Sequence, residues 1–277
     1  MCDKFTFMQG SDILQMSTPL VDWAVKNAGN KFYVVAADYI YGHVATAWNK
    51  KLVEQVGGTI EGVEFIPLDV SDFGSTIRKI QSAQPTVIMS NLVGGNHMAF
   101  YRQFAAAGLN RNIAIVSPSF GLANEQLVLA PEETDGIVVS YSYFETLPDP
   151  EYKAFVASYR RQYPDAGPLM DLPAQVWIGW HQWKDAVEAA GTTEINAVVA
   201  AMESGIPYHG PSGRVLMDAT SHRNIQDINL AQVNSKREYQ ILETRRQFQP
   251  ATTVPGSESC DLVGKDKYSH RMILPNI

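Results

Sequence analysis

The chain has 277 residues, 45% of them apolar and 18% charged, with a formal net charge of −7. Twenty glycines and fifteen prolines exclude a collagenous or low-complexity chain, and on a prior of about 150 residues per domain the length suggests two domains. No Lys/Arg cluster is longer than a pair, which argues against a nucleic-acid partner, whose phosphates need a basic face.

In chain order, Lys4 to Met8 reads as a short strand and 13–28 has the helical spacing of apolar positions. One pattern then repeats. Strands expected at 32–37, 62–67, 87–90 and 113–117 alternate with helices expected at 44–56, 73–82, 97–107 and 123–129. Such alternation makes βαβ units, hence a parallel sheet with helices on both faces. The punctuation agrees: Gly57-Gly58 ends one helix, Gly108 ends another, and Ser71 or Asp72 can cap the helix that starts at Phe73. A further strand over 136–144 closes this part near residue 145.

After Leu147-Pro148-Asp149-Pro150 the character changes. Amphipathic helices are expected over 151–162, 174–190 and 195–203. The middle one carries Trp177, Trp180 and Trp183, a three-residue spacing that reads as a core stripe. Short alternating runs at 214–217, 226–233 and 239–243 read as an antiparallel meander, with Asn234-Ser235-Lys236 as its last turn. From Arg245 onward there is no periodicity, which reads as an extended tail. A sheet able to cover the three helices is not encoded, so an N-terminal truncation is expected, with Lys4 to Met8 as the last strand of a lobe.

Apolar runs such as Ile137 to Val139 fall far short of the ~20 residues that cross a bilayer, so no part is expected to span a membrane. Met1 is followed by Cys2, Asp3 and Lys4 rather than by a secretory leader, so the protein is expected either to be cytoplasmic or to start further upstream. Cys2 and Cys260, near opposite ends, cannot make a CxxC metal site; a disulfide between them and two unpaired thiols both remain open.

In an open parallel sheet, ligands sit beyond the carboxyl ends of the strands. The candidate tips are Asp38-Tyr39-Ile40-Tyr41-Gly42, Asn91-Leu92-Val93-Gly94-Gly95-Asn96, Ser117-Pro118-Ser119-Phe120-Gly121 and Ser140-Tyr141-Ser142-Tyr143-Phe144. From these we take Asp38, Tyr39, Tyr41, Asn91, Val93, Ser117, Ser119 and Tyr141 as candidate ligand-binding residues. Hydroxyls, amides and flat aromatic walls suit a small polar, uncharged ligand better than a phosphate or a metal. Tyr39 and Tyr41, two apart at a strand end, would point their rings the same way. Asp38 could equally serve as a helix or turn cap.

Catalytic constellations are scarce, and no cofactor is implied. The six histidines show no HxxxH spacing, no GxSxG elbow occurs, and Gly94-Gly95-Asn96 is neither GxGxxG nor a P-loop. Ser119 has no placed base, so hydrogen bonding or capping outweighs nucleophilic catalysis. A binding protein rather than an enzyme is the expectation.

The run Phe32 to Gly42, then Phe65-Ile66-Pro67-Leu68-Asp69 with Asp72-Phe73, Ile80-Gln81, Pro85, Phe100-Tyr101-Arg102-Gln103 and Ala107-Gly108, resembles the type I periplasmic binding proteins of ABC transporters. Within them the chain is most similar to the branch of urea and short-chain amide receptors and branched-chain amino acid receptors, over about Cys2 to Glu243. Gly210-Pro211-Ser212-Gly213 and Ser221-His222-Arg223 match late turns of that branch. The resemblance implies doubly wound parallel-sheet lobes joined by crossovers and closed by a hinge, the first lobe incomplete by about a hundred residues. It implies that residues 1–10 are the last strand of the first lobe, 11–145 the ligand-facing second lobe, 146–206 helices returning to the first, 207–244 strands returning to the second, and 245–277 a tail.

By the same resemblance Tyr41 and Tyr39 close over a ligand opposite Asn91 to Gly94, and ABC permease subunits in the membrane are the partners, with the protein periplasmic or on the extracellular face. Amino-acid receptors of the family carry a carboxylate after the fourth strand, where this chain has Ser119, which weakens the amino-acid reading. A buried ammonium without a countercharge is costly, so urea or an amide is preferred unless Asp38 substitutes. The alternatives are a cytoplasmic amide-sensing regulator of the same fold and, more remotely, an amidohydrolase.

Overall fold

The computed structural model describes residues 3–148, 150–250 and Leu262. Cys2, Cys260 and most of the expected tail lie outside them. The chain divides into two compact units: Met16–Ser140 with Leu230–Glu243, and Tyr141–Asn229 with flanking segments that include 3–15 and 244–250.

In the first unit α1 (Ile13–Asn27), which begins in the other unit, leads to β1 (Lys31–Ala37), α2 (Ile40–Gln55), β2 (Thr59–Ile66), α3 (Gly74–Ala83), β3 (Val87–Asn91), α4 (Gly95–Ala106) and β4 (Ala114–Ser117). Two single-turn helices, α5 (Glu125–Val128) and α6 (Pro131–Thr134), precede β5 (Val138–Tyr141). The strands run in the order β2-β1-β3-β4-β5 and every neighbouring pair is parallel. Phe32 to Ala37 of β1 and all of β3 are buried, as apolar strands must be when helices cover both faces of a sheet. The outer strand β2 is largely half-exposed.

Local chemistry sets the boundaries. A Cβ on Gly42 would fall onto the Ala37 carbonyl oxygen, so glycine lets α2 start at Ile40, four residues before the apolar spacing predicts. Gly57 takes a positive φ of 75°, and Gly58 N–H donates to Val53 O at 2.8 Å, closing α2. Neither expected residue is the N-cap of α3, which is Phe73 with no side-chain cap bond; Asp72, one residue earlier, accepts from Gly74 N–H at 2.9 Å. The helix expected over 123–129 is shorter and is followed by a second turn. Pro131 opens that turn, and Glu133 Oε2 accepts from Ala130 N–H at 2.8 Å.

The second unit holds α7 (Pro150–Gln162), α8 (Asp171–Ala190) and α9 (Ile195–Glu203), then β6 (Tyr208–Gly210) and β7 (Gly213–Asp218), with the early part of β8 (Arg223–Val233) and the end of β9 (Tyr239–Phe248). β6 with β7 and β7 with β8 are antiparallel, and β9 pairs with β8. The meander therefore gains β6, a three-residue strand too short to show a period, and β9 runs on to Phe248 through residues that read as tail. Lys4 to Met8 is not a strand: it contributes one parallel bridge, Met8 to Arg223, with Met8 N–H donating to His222 O at 2.8 Å.

The tryptophan stripe is the largest correction. Trp177, Trp180 and Trp183 are 43%, 65% and 46% exposed. The buried face of α8 is instead Asp171, Ala174, Gln175, Ile178, Gly179, Gln182 and Ala186. Small and amide side chains let the helix dock closely there: Gln182 Nε2 donates to Asn224 Oδ1 at 2.9 Å, and a Cβ on Gly179 would strike the Gln9 side chain. Apolar spacing alone could not reveal a buried face that mixes small and aliphatic residues with two amides.

Candidate ligand-binding site

In the first unit, parallel order places the ends of β1, β3 and β4 side by side. Beyond β1, Asp38 and Tyr39 form a short link to α2. Asp38 is exposed and its carboxylate lies 2.8 Å from His43 Nε2, while the His43 ring stacks on Phe65 at 3.9 Å. Asp38 thus caps no helix; its partner is an imidazole.

Tyr39 and Tyr41 do not sit on a strand, because β1 ends at Ala37 and α2 begins at Ile40. Their alignment therefore does not come from strand alternation. The rings are nevertheless neighbours, 5.9 Å apart and tilted by 41°. Tyr39 is 38% exposed, whereas the Tyr41 hydroxyl is fully buried. Burial pushes the ionisation of both phenols upward; at Tyr41 the Ser119 hydroxyl opposes the shift.

At the end of β3, Asn91 is buried and its Oδ1 accepts from Asn49 Nδ2 at 3.2 Å. The Asn91 Nδ2 has no hydrogen-bond partner among the described residues. Val93 is half-buried. At the end of β4, Ser117 Oγ donates to Ser90 O at 2.7 Å and accepts from Ser119 N–H at 3.2 Å and Phe120 N–H at 3.0 Å. Ser119 Oγ donates to Leu92 O at 2.7 Å. Both serine protons are thus committed to carbonyls of the β3 tip, which stitches the two tips together.

Gly94, at a positive φ of 55°, turns the chain into α4, which starts at Gly95. The adjoining Asn96 is buried and donates to Val70 O at 2.7 Å, tying down the loop after β2. Tyr141 is fully buried and belongs to the other unit, its ring 5.6 Å from Phe144.

Beneath the tips lies a layer that sequence reasoning missed. The Tyr101 hydroxyl is 2.8 Å from Ser90 Oγ and 3.2 Å from His97 Nδ1, and Phe120 meets the Tyr101 ring edge-on at 5.0 Å. Burial drives the His97 pKa down to about 3, so the imidazole stays neutral. The signal for this layer is the four-residue spacing of His97 and Tyr101 on α4. Among the described residues no group of three or more His, Cys, Asp or Glu could hold a metal ion, and no helix is long and apolar enough to cross a membrane. The rim therefore offers fixed dipoles and aromatic surface.

A family model for periplasmic binding proteins matches residues 1–238. The chain belongs to the periplasmic binding protein family. This periplasmic binding protein is 24% identical over 221 residues to the Leu/Ile/Val-binding protein homolog 6 of Brucella melitensis, a match covering 79% of the chain. It spans 57% of that relative's length. A periplasmic binding protein from Burkholderia mallei shares its fold at a TM-score of 0.84 and 21% identity, over 95% of this chain and 70% of the other. A solute-binding protein from Rhodopseudomonas palustris in complex with 3,4-dihydroxybenzoic acid gives 0.76 and 24%, over 91% and 69%. A branched-chain amino acid binding protein from Burkholderia xenovorans gives 0.79 and 16%, over 94% and 70%. The fold is that of the type I periplasmic binding proteins.

Proposed function

We propose that this chain belongs to the solute-binding component of an ABC transporter, which captures a small polar molecule outside the cytoplasmic membrane and hands it to permease subunits. The observation that carries this reading is the uncharged strand-tip set of Tyr39, Tyr41, Asn91, Val93, Ser117 and Ser119, with its one carboxylate, Asp38, already paired with His43. A ligand ammonium would need a carboxylate buried with it, and the Asp38 side chain is exposed. Urea or a short-chain amide asks only for hydroxyl and amide partners. A branched-chain amino acid is the second reading, supported by the likeness to the Leu/Ile/Val-binding homologue.

Calorimetric titration of the chain with acetamide, urea, leucine and 4-hydroxybenzoate tests the reading. Binding of acetamide or urea, weakened at least about tenfold (~1.4 kcal/mol) by Tyr41→Ala, is expected. Leucine binding with no amide binding would replace the amide assignment by the second reading, and sustained ammonia release from acetamide would replace capture by catalysis. Release of the native protein by osmotic shock is the expected sign of its compartment; retention with cytoplasmic markers would favour a sensing regulator.

A further inference from the structure

The chain changes unit between Gln15 and Met16, Ser140 and Tyr141, Asn229 and Leu230, and Glu243 and Thr244. Within the second unit, one buried hydrogen-bonded cluster holds the chain at the last three of these places. At its centre is Asp171, in the first turn of α8, 3% exposed and without a cationic partner among the described residues. Its Oδ1 accepts from Ser142 Oγ at 2.6 Å and from Tyr143 N–H at 2.9 Å. The Gln175 amide donates to Ser142 Oγ and reaches Asp171 Oδ1 at 3.4 Å. The Ser142 carbonyl accepts from Asn229 Nδ2 at 3.0 Å, and Asn229 Oδ1 accepts from Thr244 Oγ1 at 2.7 Å. One chain of contacts thus runs from Asp171 through Ser142 and Asn229 to Thr244.

We propose that Asp171 is a positioning residue, the anchor of a clamp that fixes the three passages on the side of the second unit, so that bending is confined to the few peptides beyond it. Charged acceptors make stronger hydrogen bonds than neutral ones, and an unpaired buried carboxylate is otherwise costly. Its retention at the start of a helix, where the macrodipole favours negative charge, is consistent with that role. The first passage is built differently. Pro19 lies inside α1 and lacks the N–H that would bond the carbonyl of Gln15, leaving the helical ladder broken beside the Gln15–Met16 step. The use of such bending for ligand capture rests on the function proposed above; the clamp itself does not.

Amide hydrogen exchange on the chain without ligand tests the clamp. Asp171→Ala should speed exchange about tenfold or more at 141–144, 229–231 and 244–246, with β1 and β3 unchanged within about twofold. Asp171→Asn keeps an acceptor oxygen and should restore most of the protection. Thr244→Val, at the far end of the chain of contacts, should give a smaller rise confined to 229–231 and 244–246, and remains informative if Asp171→Ala does not fold. A uniform rise across both units, or one limited to the first turn of α8, would overturn the proposal. Failure of every ligand to bind would leave this result untouched.

Discussion

His97 Nδ1 lies 3.2 Å from the hydroxyl of Tyr101, one turn further along α4, and neither ring reaches water. Protonating His97 would place an unpaired cation in that layer, and burial holds its pKa at about 3 instead of 6.5. The unfolded chain takes up this proton near pH 6.5 and the folded one only near pH 3. Stability present above 6.5 is therefore lost as the pH falls between these values, by up to about 1.4 kcal/mol per unit. In urea unfolding, the loss between pH 7 and pH 5 should be smaller in His97→Gln than in the parent by roughly 2 kcal/mol. Equal losses in both proteins would rule out His97 as the source.

Gly42→Ala is a test of the turn that delivers the two tyrosines. The added methyl meets a backbone oxygen, which cannot swing aside as a side chain could. A loss of about 2–4 kcal/mol in unfolding free energy is expected, the range of core overpacking and strain. A change under ~0.5 kcal/mol would mean that α2 does not start as described.

The two serines at the β4 tip should differ. Ser117→Ala removes one donor and leaves two buried N–H groups without their acceptor, whereas Ser119→Ala removes one bond to Leu92 O. The expected losses are about 2–3 kcal/mol and about 1 kcal/mol. Chemical denaturation of both variants checks the order, and the reverse order would show that the stitch runs through Ser119.

Trp180→Lys should alter stability by no more than about 0.5 kcal/mol, because the indole is largely exposed; a buried tryptophan truncated to a smaller side chain would cost ~3–5 kcal/mol. Acrylamide should also quench less of the total fluorescence once Trp180 is removed. A core-sized loss would return the stripe to the interior.

The parallel strands were legible because Phe32 to Ala37 of β1 and all of β3 are buried and punctuated by glycine, so such runs have few other readings. Helix ends set by packing were less so. The early start of α2 depends on a contact between Gly42 and Ala37 O that only the folded chain makes. The rim residues were visible by their position after each strand, but the layer below was not: a histidine neutralised by burial looks, in sequence, like any exposed one. The tryptophans misled for a related reason. Apolar spacing identifies a stripe, whereas hydrogen bonds from Gln175 and Gln182 decide which stripe of α8 is buried.

The sheet of the first unit ends at β2, whose outer side has no strand partner among the described residues. Glu61 and Glu64 stand on that strand, and Lys79 reaches across to Glu64 at 2.7 Å. A foreign strand adding to this edge would have to desolvate fixed charges for each pair of backbone bonds it gained. Glu61 and Glu64 thus set charge along the outer edge of this sheet, where the strand of a second copy would otherwise find open backbone groups to pair with.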